Sequence, residues 1–456
     1  MSKAAPTDSG IGAVLQDEQI SWAVRRVIFL LTLVSILNFV DRQIINILAE
    51  SIKKDLALSD SQIGLLTGLA FAVFYALLSL PAARLADRYN RPILLGAAVT
   101  VWSGFTALSG VAQNFTQLAL ARMGVGIGES ACAPTAHSLI SDYVPASKRT
   151  SALAMFSMGV PLGSMLGMVL GGIVVDHWGW RTALLMVGLP GLAVGLAVMF
   201  FAPEPRRTLA SAAAATAKLP RVPLLVVMKL LLAKRSAWMI MASQALASMV
   251  QLGSYAWIAS FFRRSEPEQL QRWADGISAF TGLSLGPVAI IGIVYGVATG
   301  LMAATGMYLS GRIADARTSR DVSVLLWLPA WAKMSGIVFT AGTLFSGDLG
   351  IALACATAHS FVLGFTLPPG YASVLGLVDS KSRATVTALF MIVTTFIGLG
   401  FGPLMVGVLS DFFNKGLGMG ESEGLRYGMV TLALFIIPSS LLLLRATRYY
   451  PADFVK

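Results

Sequence analysis

Charge is scarce in this chain. Asp, Glu, Lys and Arg make up 12% of 456 residues, about half of the roughly 25% expected of a soluble protein. Cysteine is almost absent: Cys132 and Cys355 are the only two, both in apolar segments, so no disulfide framework or zinc spacing exists. The three histidines, His137, His177 and His359, lie far apart. With no Ser/His/Asp constellation and no metal-ligand cluster, an enzyme is not expected. No Walker sequence occurs, which excludes ATP as the energy source. What is abundant is hydrophobic: 56% of the residues, with 44 glycines. That composition describes a multi-span helical membrane protein.

The net charge of +11 would suit a nucleic-acid partner. The basic residues follow membrane sidedness instead of forming one basic face, so no nucleic acid is expected. Residues 1–20 are polar and carry no apolar core before a small-residue cleavage site. The first span is therefore expected to act as its own insertion signal.

Twelve helical spans are expected near 25–49, 61–84, 92–112, 115–141, 148–175, 180–202, 236–262, 285–311, 322–344, 349–376, 384–410 and 425–446. An even count puts both termini on one side. With the termini inside, the inner segments hold 23 of the 34 Lys and Arg residues and the outer loops hold 8. Arg42, Arg122 and Lys333 remain, within spans. The bias places both termini in the cytoplasm of a plasma (bacterial inner) membrane. The largest polar break divides the chain into 1–202, a linker at 203–235, and 236–456. Within the linker, Arg221, Lys229, Lys234 and Arg235 flank a short apolar stretch suited to lying on the anionic inner leaflet.

Inside the first span stand Asp41 and Arg42. A lone charge at that depth costs roughly 2.5–3.5 kcal/mol on insertion scales and needs both a partner and a use. Span 4 supplies Arg122 and Glu129, seven residues apart and so on one helical face. From the helical rise, Asp41 lies about 6 Å and Arg122 about 9 Å outside the midplane, with Glu129 close to it. Two acids and two bases at matching depths are expected to form a neutral cluster.

The two halves echo each other. Ala83-Arg84-Leu85-Ala86-Asp87 follows span 2 and Gly311-Arg312-Ile313-Ala314-Asp315 follows span 8. Arg149 and Arg383 open spans 5 and 11; Asp176 and Asp411 close them. Equivalent positions separated by an even number of spans imply a parallel repeat of two six-helix bundles. Glycines at i,i+4 spacing, at 159, 163 and 167 and at 292, 296 and 300, read as packing seams.

These residues resemble the major facilitator superfamily of secondary transporters. Its loop signature after the second helix, Gly-x-Leu-Ala-Asp-Arg-x-Gly-Arg-Arg, is matched by Ala83 through Arg91, with Arg84, Asp87, Arg88 and Arg91 in place. Asn90 stands for the inner Gly and can take a left-handed conformation. Arg122-x-x-x-Gly126-x-Gly128, the Gly-Pro pattern around Pro161, and Trp178-Gly-Trp-Arg181 also fit. Asn38-Phe-Val-Asp41-Arg42, Leu65-Thr67-Gly68-Phe71 and the run ending at Glu129 are similar to the Spinster branch.

The resemblance implies a twelve-helix alternating-access carrier, with spans 1 and 4 lining the space between the halves. It implies a proton-linked carrier of lysolipids or sphingoid lipids. Burial against adjacent arginines makes Asp41 the expected proton site and Glu129 a second acid or substrate-responsive group; the alternatives are a permanent salt-bridge network and an Arg42 and Arg122 fork for an anionic headgroup. Arg84, Asp87, Arg88, Arg91, Arg312 and Asp315 are then a cytoplasmic latch, Asp87 facing the N-terminus of span 11. An amphiphile needs an apolar wall, for which Phe71, Phe74, Tyr75, Tyr255, Trp257, Phe361, Phe365 and Tyr371 are candidates. Lys333 either snorkels or touches substrate. Glu50 and His137 are expected at the interface, and His359 as hydrogen-bonded structure. No cofactor is implied beyond the proton gradient; the partners are substrate, protons and the bilayer, and the protein is expected to be a monomer. The rivals are an organic-anion symporter, whose branch also carries Asn-x-x-Asp-Arg in its first helix, and a transporter-shaped sensor with no flux.

Overall fold

The computed structural model describes residues 22–144, 146–204, 228–229, 231, 233–379 and 382–455. Among the described residues there is no strand. Ten helices are long and apolar enough to cross a membrane. Together with a fourth span in two pieces, these described helices make twelve crossings, for two local reasons. Ser151–Phe201 turns back on itself at Gly179, whose φ of 79° is open to Gly and strained for other residues. Span 4 is split into Phe115–Glu129 and Cys132–Tyr143, so neither piece reaches spanning length alone.

The crossings are α1 Val24–Asp55, α2 Asp60–Ala86, α3 Arg91–Ser109, the split α4, α5 and α6 on either side of Gly179, α7 Arg235–Ser265, α8 Pro287–Thr318, α9 Val324–Phe345, α10 Leu349–Leu375, α11 Thr385–Gly416 and α12 Glu421–Ala446. Side-chain caps start four of them. Ser59 forms a capping box with Gln62, while Asn90, Asn114 and Asp348 accept from backbone N–H groups of the first turn. Asn90 is extended (φ −64°, ψ 112°), not left-handed. The motif's turn is made by an N-cap here, and that geometry needs no glycine.

Within the first half, α1 packs along α5 and α3 along α6; within the second, α7 packs on α12 and α9 on α10. The α1–α5 seam is a row of glycines. A Cβ on Gly159, Gly163 or Gly171 would lie within 2.7 Å of Ser35, Ile36 O or Ile47. The row expected in α8 is a seam at one end only: Gly292 abuts Met168 O, and Gly300 meets nothing within 4 Å. A π turn interrupts α2 at Leu65–Leu69, α8 at Ile291–Tyr295 and α11 at Phe396–Phe401. These are helices that meet the opposite half.

An extra helix, Pro267–Thr281, lies between α7 and α8. It has the start and stop signals of Pro267 in its first turn and Gly282 in the left-handed conformation, which the hydropathy reading of spans passed over. Most of the linker, residues 205–227 with Arg221, lies outside the described residues. Lys234 is described and points inward, donating to the carbonyls of Leu377 and Asp453 at 2.7 Å each.

Candidate functional site

Successive residues of a helix point about 100° apart, and this separates Asp41 from Arg42. Arg42 faces α4 and α2. Its Nε donates to Glu129 Oε2 at 2.7 Å, and its guanidinium lies 4.6–5.2 Å from the ring centroids of Phe39, Phe71 and Tyr75. Phe71 and Tyr75 are themselves stacked at 5.5 Å. Glu129 is fully buried and is the last residue before the break in α4. Three aromatic faces and one charge-assisted hydrogen bond hold Arg42 in a single orientation.

Asp41 faces α3. It is 2% exposed and has no basic group within ion-pair distance among the described residues. Its nearest polar neighbours are Thr106 and Trp102, with the charges of Glu129 and Arg122 acting from α4. The Arg122 guanidinium also lies over Phe71, 5.5 Å from the ring centroid. The expected neutral cluster is therefore one ion pair, Arg42–Glu129, flanked by two groups that make none. Between them is a set of buried polar atoms without hydrogen-bond partners: Asn38 Nδ2, Asp41 Oδ1, Trp102 Nε1, Thr106 Oγ1, Arg122 Nε and Glu129 Oε1. Buried polar atoms are otherwise almost always paired, so this grouping marks a place for water or an exchangeable proton.

In the second half, Lys333 does not snorkel. It is 2% exposed, and its Nζ sits 2.7 Å from Gln244 Oε1, 3.2 Å from Ser243 Oγ and 3.3 Å from Ser439 Oγ. His359 Nδ1 lies 3.1 Å from both Gly336 O and Thr340 Oγ1, tying α10 to α9. Of the candidate wall, Phe74 and Tyr255 are half-buried, and Phe361 and Phe365 pair edge to face at 5.4 Å. Phe361 lines an apolar groove of about 600 Å³ with Val294, Met302, Leu353 and Thr357 of α8 and α10. Tyr371 packs on Phe390 at 5.1 Å. Trp257 is no wall residue: it is 1% exposed and donates to Pro403 O at 2.9 Å, wedged between α7 and α11.

The latch residues divide. Arg84, Arg88, Arg312 and Asp315 are exposed at helix ends, and the side chain of Asp87 lies outside the described residues. Arg91 is fully buried inside the first half, where Glu204, Asp142 and Ser138 surround it. It clamps the start of α3 to the ends of α4 and α6 and does not reach the second half, which corrects its assignment to a latch between halves.

The opposite mouth, called outer here after the Lys/Arg bias, holds what sequence reasoning missed. Glu50 is not interfacial; it is 3% exposed and accepts from Arg264 at 2.5 and 2.9 Å. The same guanidinium forks onto Asp60 with two bonds of 2.8 Å, and Asp60 also receives Lys53 at 2.9 Å and Ser410 Oγ at 2.6 Å. These groups join α1 and α2 to α7 and α11. Beside them lie two matching caps. Asp411 of α11 accepts from the N–H groups of Asp60 and Ser61 at the start of α2. Asp176 of α5 accepts from the N–H of Ala289 at the start of α8. Four residues before each aspartate, Gly172 and Gly407 let the backbones touch. The 235-residue repeat of these aspartates was the visible signal; their partners were not. Hydrogen bonds and ion pairs between the halves gather at this outer mouth.

The profile of the Major Facilitator Superfamily matches residues 31–403. An MFS-type efflux pump of Mycolicibacterium smegmatis is 30% identical over 440 residues, 94% of this chain and 93% of that protein. The sphingosine-1-phosphate transporter SPNS2 of Danio rerio is 26% identical over 400 residues, 85% of this chain and 76% of that protein. The solved structure of a bacterial homologue of the human lysosomal transporter Spinster, inward-facing and unoccupied, superposes with a TM-score of 0.82 at 27% identity, covering 96% of this chain and 99% of that one. With its twelve crossings in two repeated halves, the chain belongs to the Major Facilitator Superfamily, whose members are membrane transporters and not enzymes.

Proposed function

We propose that this chain is a proton-coupled, alternating-access secondary transporter of an amphiphilic lipid or other hydrophobic organic molecule. It works as a monomer in the bacterial inner membrane with both termini in the cytoplasm, and it draws on the proton gradient without a cofactor. One observation carries the reading: Asp41 is buried at membrane depth with no cation in contact, beside a cluster of unpartnered polar atoms. A carboxyl group so placed is accommodated by holding a proton, and releases it where water or a cation reaches it. Arg42, next in sequence, and Arg122, whose charge acts on Asp41 from α4, are the candidate cations. A shift of α1 against α4 that brings either one to Asp41 exchanges the proton for an ion pair, linking protonation to conformation.

Several observations support the carrier cycle. The outer mouth is joined by Arg264, Glu50 and Asp60, while Arg84, Arg88, Arg312 and Asp315 stand exposed at the other end. That is the arrangement of an inward-facing state. In the opposite state, Asp87 takes up the N-terminus of α11 as the latch. The apolar groove at Phe361 and the aromatic platform under Arg42 suit a molecule with a tail and a polar head. The activity of one relative, sphingosine-1-phosphate transport by SPNS2 of Danio rerio, agrees with an amphiphilic cargo.

Reconstituted protein is tested for uptake of a labelled lysolipid into liposomes, with and without an imposed pH gradient. The reading requires gradient-dependent uptake that disappears in Asp41→Asn while the purified variant keeps its helical content. Uptake by Asp41→Asn with unaltered pH dependence overturns proton coupling at this site. Absence of flux alongside specific binding makes the protein a sensor.

A further inference from the structure

Charge bookkeeping separates the two halves at membrane depth. In the first, Arg42 is paired with Glu129, and both acids, Asp41 and Glu129, lie near Arg122. In the second, Lys333 has no carboxylate within ion-pair distance among the described residues. Its protonation state follows from the neighbours' hydrogens. Ser243 Oγ donates its one hydrogen to Ser439 O at 2.7 Å, and Ser439 Oγ donates to Ser243 O at 2.8 Å. Both backbone acceptors are nearer than Nζ, so each hydroxyl turns a lone pair to the lysine. Gln244 Oε1 can only accept. Three acceptors around one nitrogen match the three hydrogens of the ammonium form, which is the form taken here.

That ammonium is fixed and fully buried, and its hydrogen bonds satisfy its donors without neutralising its charge. Intramembrane charges of this kind pair with something. The direction is set by Gln244. Its oxygen is held by Lys333, and its Nε2 end is turned to α10, where a Cβ on Gly370 would fall 2.3 Å from it. Gly370 lies in the segment Leu367–Leu375, just beyond the break that follows Gly364. The amide thus presents polarised N–H donors toward α10, with a positive charge behind them.

We propose that Lys333, acting through Gln244, is the specificity-determining charge of the second half, favouring cargo that carries one anionic group over neutral or cationic cargo of the same shape. This rests on the carrier reading above and adds the charge class of the cargo. The counter-charge that the second half lacks is brought by the substrate.

The test uses the full-length protein in neutral-lipid nanodiscs and three probes sharing one tail: octyl phosphate, octyl glucoside and octyltrimethylammonium. Affinity is followed by intrinsic tryptophan fluorescence. Wild type is expected to prefer octyl phosphate. Lys333→Met is expected to weaken octyl phosphate about tenfold, the scale of one screened charge at intermediate distance, and to leave octyl glucoside unchanged. Lys333→Arg retains the preference. Gln244→Glu keeps size and fold while giving the lysine an internal counter-ion, and it is expected to lose the anionic preference as fully as Lys333→Met. Equal changes for all three probes, no change in any, or a wild type without anionic preference overturns the proposal. Liposome flux separates the two readings. Binding with a Lys333-dependent charge preference but no gradient-driven flux defeats the carrier and leaves this site. Flux with a Lys333-independent preference defeats this site and leaves the carrier.

Discussion

The two halves of this transporter share a backbone plan and differ in how they keep charge inside a membrane. The first half pairs Arg42 with Glu129 and pads the guanidinium with Phe39, Phe71 and Tyr75. Asp41 and Arg122 are left near one another and unjoined. The second half holds Lys333 among two hydroxyls and an amide, with no acid. One half sets an acid without a contacting cation beside a second acid and two bases, among the described residues; the other surrounds its one base with neutral acceptors. The outer mouth shows the opposite relation, since the halves cap each other there in the same manner, Asp411 on α2 and Asp176 on α8.

The largest effect expected from breaking this comparison is at Asp41. Asp41→Asn is predicted to lower gradient-driven uptake by about two orders of magnitude, whereas Lys333→Met leaves the gradient dependence intact and alters selectivity; initial-rate uptake across a pH series separates them. Next comes Arg264→Ala. It strands Glu50 and leaves Asp60 with Lys53 as its one cation, both acids being nearly unexposed, and removing one partner of a buried ionic group costs about 3 kcal/mol. Much of that cost is relieved when the outer mouth opens and water reaches the acids. Spin-label distances between the outer ends of α1 and α7 should therefore lengthen, and an unchanged distance distribution would show that these groups do not hold the mouth shut.

Glu129→Gln sharpens the contrast from the other side. It keeps the shape and removes the charge that Arg42 is paired with, and a loss of about 3 kcal/mol in thermal stability is expected. The caps are a smaller effect. Asp176→Ala and Asp411→Ala should each cost about 1 kcal/mol of outer closure, the worth of an N-cap, and unequal shifts in the same distance measurement would break the symmetry argued here. A pair of glycines tests packing apart from charge. Gly163→Ala meets Ile36 O at 2.4 Å and should destabilise by about 1–3 kcal/mol. Gly300→Ala meets nothing within 4 Å and should be neutral or stabilising by about 1 kcal/mol through helix propensity. Melting temperatures of the two variants test the difference.

Sequence by itself determined the twelve crossings, the repeat, the family and the identity of the buried charges. These follow from hydropathy and spacing, which are local and read along the chain. The glycine seam in α5 was legible too, whereas span 4 read as one helix over 115–141 and is split after Glu129. Only the tertiary structure decided who meets whom. Asp41 and Arg42 are neighbours in sequence, and the 100° between them sends one to Trp102 and the other to Glu129. Glu50 read as an interfacial residue because nothing along the chain foretells that Arg264, 214 positions away, closes on it. Asn90 read as a substitute for glycine, and its side chain became a helix cap. Lys333 read as a solitary cation, and packing of α7, α9 and α12 gave it three acceptors and no acid. Hydrophobicity acts residue by residue and survives in the linear pattern, whereas an ion pair depends on rotamer and helix rotation, which packing alone fixes.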